Sequence, residues 1–313
     1  MGRKKKRKFN ILYIPLLLVI GLLCFSIIKG VNIYKEENKT EEKKEEKSTT
    51  SNDNKKDSKT EKKEDDKISK YKKTSNFKLE NLDRYIIYHE KNPNYDDEKV
   101  VTYVNIGLDK EFYSYIKDAD MKKGILLLCN KYLKLPDGYE PDDLETINSE
   151  YFINGNTLVR KLRKEAKEAF ENLSKASIEE GYPVYGQSAF REYDMQVSLY
   201  NNAVNSLGKA KADIDTARPG HSEHQTGLTI DVSSTKGGNM MSFENTKSFD
   251  WMQNNAHKYG FILRYRKDKV DITGFMYESW HYRYVGVKVA TDMHDNYPDL
   301  SYEEYYYKFI DNK

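Results

Sequence analysis

SEHQTGLTIDVS, Ser222 to Ser233, and ESWHYRYVG, Glu278 to Gly286, decide how this chain is read. Each carries a run of β-branched and aromatic residues, GLTIDVS and WHYRYV, with the length and composition of a short strand. YPVYGQSA (Tyr182 to Ala189) and FILRY (Phe261 to Tyr265) read as two more. Around them lie helical patterns. From Asn156 to Glu180 the chain places Leu158, Leu162, Ala166, Ala169 and Leu173 on one face, with charges opposite and Gly181 as a stop. Glu192 to Ser206, Phe249 to Tyr259, Gly286 to Asp295 and Tyr302 to Ile310 read as further helices. Helices before and after clustered strands predict an α+β fold, a small antiparallel sheet flanked by helices.

The same two stretches hold residues of metal-ligating type. His224, Asp231 and His281 form a candidate set of three ligands, and Glu278 a candidate base. Zinc in hydrolases commonly takes three protein ligands, from His nitrogen or carboxylate oxygen, and leaves a fourth position for water. Two neutral imidazoles and one carboxylate leave a formal +1 on such an ion, a charge that acidifies water and stabilises an oxyanion. In a straight strand, positions seven apart point to opposite faces, so His224 and Asp231 need a bend between them. Gly227 permits a bend or bulge there. A lone His or Asp on a strand is also ordinary polar surface, and spacing alone leaves both readings open. His89, His257 and His294 are read as ordinary surface.

SEHQTGLTID and ESWHYRYVG resemble the two signature blocks of the VanY-like, zinc-dependent D-alanyl-D-alanine carboxypeptidases, metallopeptidases of the LAS type. NKYLKLPDGYEPDDL (Asn130 to Leu144) is similar to the family's lead-in segment, and SAFREYDMQVSLYN (Ser188 to Asn201) to its SxYRSYxxQ block. The four blocks occur in the family's order over about residues 125 to 310. The resemblance implies that the small sheet carries a zinc site, with His224, Asp231 and His281 as ligands and Glu278 as the catalytic base. It implies that Arg191 contacts the substrate near the reacting centre, a task that suits a planar guanidinium able to make two hydrogen bonds to a carboxylate or carbonyl. Ser222 falls on a position lining the substrate pocket. Gln196 and Trp280 match family positions too, where packing explains them as well as substrate contact does. Thr229, Phe190 and Glu192 depart from the usual alanine, tyrosine and serine. None removes a ligand or the base, but Glu192 beside Arg191 bears on substrate preference. The implied activity is a D,D-carboxypeptidase that removes terminal D-Ala from peptidoglycan stem peptides outside the cell. L,D-carboxypeptidase and endopeptidase activities of the same fold, and a non-catalytic wall-binding module, are the alternatives.

Outward from these blocks, the 313 residues divide unevenly. Residues 1–10 form a basic tail and 11–29 an apolar segment, in which the uncharged run Ile11 to Ile28 spans roughly 27 Å as a helix against a hydrocarbon core of about 30 Å. Basic residues Arg3 to Lys8 before it predict a cytoplasmic N-terminus and a single-pass membrane anchor, with everything after it outside the cell. No small-x-small pair closes the apolar run, and Leu22 and Leu23 precede Cys24, which argues against a cleaved signal or a lipoprotein signal. Residues 30–76 are a charged linker too poor in apolar residues to fold, and read as a disordered stalk. Residues 77–313 form one extracytoplasmic domain, expected as a monomer. Its one cysteine, Cys129, lies in the apolar run GILLLCN and reads as a buried structural thiol. A net charge of +2 with no basic stripe excludes a nucleic-acid partner from the reading.

Overall fold

A computed structural model describes residues 69–155 and 159–311. The basic tail, the apolar segment at 11–29 and the linker up to residue 68 lie outside the described residues. No helix among the described residues is long and apolar enough to cross a membrane. Packed structure begins ahead of Phe77, because Tyr71 is buried with its ring 5.6 Å from that of Tyr85.

Helices α1 (Leu82–Lys91) and α2 (Asp97–Ile106) lead the chain, followed by the short strands β1 (Lys117–Asp118), β2 (Leu133–Lys134), β3 (Leu144–Thr146) and β4 (Lys161–Arg163). Then come α3 (Lys164–Glu179), β5 (Tyr185–Ser188), α4 (Tyr193–Leu207), α5 (Lys209–Asp215), β6 (Thr229–Ser233), α6 (Lys247–Asn255) and β7 (Phe261–Leu263). A short α7 (Val270–Thr273), β8 (His281–Tyr284), α8 (Val287–Asn296) and α9 (Tyr302–Phe309) complete it. The expected α+β class with a small antiparallel sheet is present: four strands in the order β5-β6-β8-β7, all neighbours antiparallel.

One expected element is shorter than its pattern. The helix read from Asn156 begins only at Lys164, and Leu162 belongs to β4, opposite Glu145 of β3. Leu162 stands four residues before Ala166, so it keeps the helical period while the backbone is extended; periodicity cannot separate the two. Leu158 lies outside the described residues. The remaining face of α3, Ala166, Phe170 and Leu173, is fully buried against the sheet, with Phe170 packed edge-on to Phe261 at 6.2 Å. Burial of Phe170 and Leu173 contributes about 1.5–3 kcal/mol each.

Strand alternation sorts the sheet into two faces. Ile230 and Val232 of β6, with Tyr282 and Tyr284 of β8, join α3 in the apolar core. Thr229, Asp231, His281 and Arg283 therefore point to the opposite face. That face is also buried, covered by the segment 121–135 and by α9. Cys129 is fully buried, and burial raises its thiol well above the ordinary range.

His221 is buried beside this face. Its Nδ1 donates to the Asn130 carbonyl at 2.7 Å, and its ring meets Tyr113 edge-on. Burial pushes its pKa down to about 4 from 6.5. The folded pKa is below the unfolded one, so the unfolded chain binds the extra proton in that interval. Stability is retained above about pH 6.5 and falls as pH drops toward 4. Urea denaturation of wild type and His221→Gln across this range should show a stability slope shallower by about one proton in the variant; equal slopes would contradict the assignment.

Candidate active site

Asp231 and His281 are directly opposite each other in the β6/β8 ladder, so their side chains leave the sheet side by side. His224 arrives differently from the expected strand. It sits in a 3-10 turn, Glu223–Thr226, that ends on Gly227 in the left-handed region at φ 67°. Gly227 is demanded twice: a Cβ there would also lie 2.9 Å from the Leu144 side chain and 3.0 Å from that of Arg163. The turn, not a bulge, aims His224 at Asp231.

The three side chains converge. His224 Nε2 is 3.3 Å from Asp231 Oδ2, His281 Nδ1 is 3.3 Å from Asp231 Oδ1, and the two imidazoles are nearly perpendicular. Two donor atoms bound to one tetrahedral ion at about 2.0–2.1 Å stand roughly 3.3 Å apart. His224 Nδ1 donates to the Ala189 carbonyl at 2.7 Å, which leaves Nε2 as the free lone pair. Asp231 Oδ1 is buried with no hydrogen-bond partner, an acceptor that a cation would satisfy. On these observations the residues fit a divalent metal ion. His224, Asp231 and His281 form a candidate metal centre.

Glu278 stands one turn before His281, with a carboxylate oxygen 3.2 Å from His281 Nδ1. Burial raises its pKa above the usual carboxylate value. Arg191 follows the β5 strand, its backbone N–H donating to the His224 carbonyl, and its guanidinium lies 3.5 Å from Asp231 Oδ2. Gln196 accepts from Arg191 Nη1 at 3.0 Å and donates to the Ala217 carbonyl at 2.8 Å, so its amide is engaged at both ends. All seven residues singled out in the sequence, Arg191, Gln196, Ser222, His224, Asp231, Glu278 and His281, line one cavity of about 500 Å³. Tyr265 and Phe275 join them there, with the Tyr265 ring 4.6 Å from His281.

The sequence reading missed what lies behind the metal ligands. Glu223 is fully buried, and its Oε1 accepts from Arg264 Nε and Arg283 Nη1, each at 2.9 Å. Arg264 in turn makes a bidentate pair with Glu303 of α9 at 2.9 and 2.6 Å. Burial alone would raise the Glu223 carboxyl, but the two guanidinium groups hold it well below the ordinary range. Its other oxygen is 3.6 Å from His281 Nε2, and neither atom has a hydrogen-bond partner. The Glu223 carboxylate thus stands on the Nε2 side of the His281 imidazole, opposite the Nδ1 that faces Asp231. One signal was available: Arg283 shares a strand face with His281, so a charge turned inward there needed a buried partner.

A family model described as VanY, D-alanyl-D-alanine carboxypeptidase, matches residues 159–287. The chain is 42% identical over 209 residues to "Putative carboxypeptidase YodJ" of Bacillus subtilis, covering 64% of this chain and 76% of the relative. The solved structure of the LdcB LD-carboxypeptidase is similar with a TM-score of 0.58 and 42% identity, over 64% of this chain and 92% of that one. The chain belongs to the VanY carboxypeptidase family. A D-alanyl-D-alanine carboxypeptidase of Enterococcus faecium is 32% identical, over 61% of this chain and 60% of the relative. The span matched by the VanY model contains the seven singled-out residues together with Glu223, Arg264 and Arg283, whereas Glu303 lies beyond it.

Glu223→Gln leaves two buried guanidinium groups without their shared charge. We expect a loss of about 3–5 kcal/mol in denaturant stability and a roughly 10–100-fold weaker metal affinity. Asp268→Asn, which breaks an exposed pair with Arg266, should cost at most about 1 kcal/mol and leave the metal affinity unchanged.

Proposed function

We propose that the chain is a zinc carboxypeptidase releasing the C-terminal D-alanine of peptidoglycan stem peptides, with the D-Ala-D-Ala end of the pentapeptide as its substrate. The observation that carries this reading is the convergence of two imidazoles, one carboxylate, the second carboxyl of Glu278 and a half-buried arginine in one cavity. A wall-binding module would have no use for Glu278. His224, Asp231 and His281 would hold the zinc ion, which supplies Lewis acidity and a lowered pKa for water. Two neutral histidines and one aspartate with an open position are the donor set of a catalytic rather than a structural zinc site.

The remaining work falls to this chain's own groups. Glu278 accepts a proton from the attacking water and passes it to the departing D-Ala amine. Its burial favours the neutral form and so makes it the stronger base. Arg191 stabilises the oxyanion that develops on the scissile carbonyl or holds the terminal carboxylate; its planar fork suits both. Gln196 acts through Arg191, fixing the guanidinium by its amide oxygen. Ser222 lines the pocket wall. The basic run ahead of the apolar segment 11–29 supports a membrane-anchored domain working outside the cell.

One observation favours a second reading. LdcB, named an LD-carboxypeptidase, shares 42% identity with this chain, against 32% for the D-alanyl-D-alanine carboxypeptidase of Enterococcus faecium. Cleavage of tetrapeptide stems is therefore the alternative specificity.

Mass spectrometry of defined tetra- and pentapeptide stems after incubation with the protein separates the two. Loss of one D-Ala from the pentapeptide is expected; loss from the tetrapeptide alone would replace the D,D assignment with the L,D one. Chelation should abolish release and added Zn²⁺ restore it. Glu278→Ala should lower kcat by about 10²–10⁴-fold with metal content unchanged, and a variant with near-full activity would remove Glu278 from the mechanism.

A further inference from the structure

Away from this cavity, two histidines read in the sequence as ordinary surface come together. His257 lies in the 3-10 turn Ala256–Tyr259 between α6 and β7, and His294 in the last turn of α8. Their rings are stacked, with centroids 3.7 Å apart and planes within 14°. Asp295 completes the group, its carboxylate 2.6 Å from His294 Nδ1. One ligand atom from each of the three lies within 4.8 Å of the others.

The placement is built by the fold. Ala290, one turn before His294, is fully buried, and Met293 and Ala256 are buried with it. This packing holds α8 against the turn that carries His257. Both histidines line the rim of a second cavity of about 340 Å³, separate from the active site. No hydrogen bond joins the stacked rings, and His257 Nδ1 is shielded from solvent with no hydrogen-bond partner.

We infer that His257, His294 and Asp295 form a second metal site, selective for a late first-row divalent cation such as Zn²⁺. Two imidazoles and a carboxylate are borderline donors of the kind that zinc, nickel and copper prefer to magnesium or calcium. In the stack the two ring lone pairs lie in nearly parallel planes, so binding would turn the exposed His294 ring out of it and free its Nδ1 from Asp295, bringing donor atoms now within 4.8 Å to the roughly 3.3 Å that one tetrahedral ion needs, and the exposed side of the group leaves room for water. The site would tie α8 to the segment entering β7, the strand next to the one bearing His281. Its role is a clasp on the fold, not a part of the reaction.

The test is a Zn²⁺ titration of the metal-stripped full chain, by calorimetry and by competition with a chromophoric chelator. Two classes of site are expected, the weaker one lost in both His257→Ala and His294→Ala. Each variant should retain the tight class and wild-type carboxypeptidase activity. Zinc at a hundredfold excess over the weaker Kd should raise the Tm of wild type by roughly 5–10 °C more than that of either variant. A single class in wild type, or survival of the weaker class in either variant, would overturn the proposal. His281→Ala separates the sites, since it should lose the tight class and keep the weaker.

Discussion

The antiparallel pairing of β6 with β8, in the register that sets Asp231 opposite His281, is the constraint on which the site depends. Directly opposed residues on one face of such a ladder have Cβ atoms about 4.5–5.5 Å apart, close enough to share an ion. A slip of β6 by one residue would send Asp231 into the apolar core and bring Ile230 or Val232 to the metal face, opposite an unmoved His281. The core enforces the register, because Ile230, Val232, Tyr282 and Tyr284 are all buried on the other side.

A face that carries ionisable groups and is itself buried must be electrostatically closed. The chain does this with a row behind His281, Glu223, then Arg264 and Arg283, then Glu303, in which each charge meets an opposite one. Such a network is costly to assemble and costly to break, so its value lies in holding its members in one arrangement. Here the member held is a metal ligand. Helix α9 takes part through Glu303, and its capping box at Ser301 and Glu304 sets where that helix begins. The last helix therefore reaches the active site through Arg264 and Glu223 without lining the cavity.

Much of the site was legible because its residues cluster in sequence. His224 and Asp231 share one decapeptide, Glu278 and His281 one tetrapeptide, and their types alone suggest hydrolytic metal chemistry. The strands and most helices followed from alternation, from period 3.6 and from a glycine stop such as Gly181. The start of α3 was illegible, since Leu162 satisfies the helical period from within a strand. Glu223 was illegible for another reason: its partners Arg264, Arg283 and Glu303 are remote in sequence and follow no local pattern.

What the sequence by itself determined is the set of donor types, the strands that carry Asp231 and His281, and the glycine that separates His224 from Asp231. These are local properties, written in residue chemistry and short-range periodicity. Only the tertiary structure decided that a 3-10 turn rather than a bulge aims His224, that Gln196 grips Arg191, and that Glu223 backs His281. It also decided that His257 and His294 stack. Each of these joins residues whose meeting is set by how helices pack on the sheet, and that information is spread over the whole core.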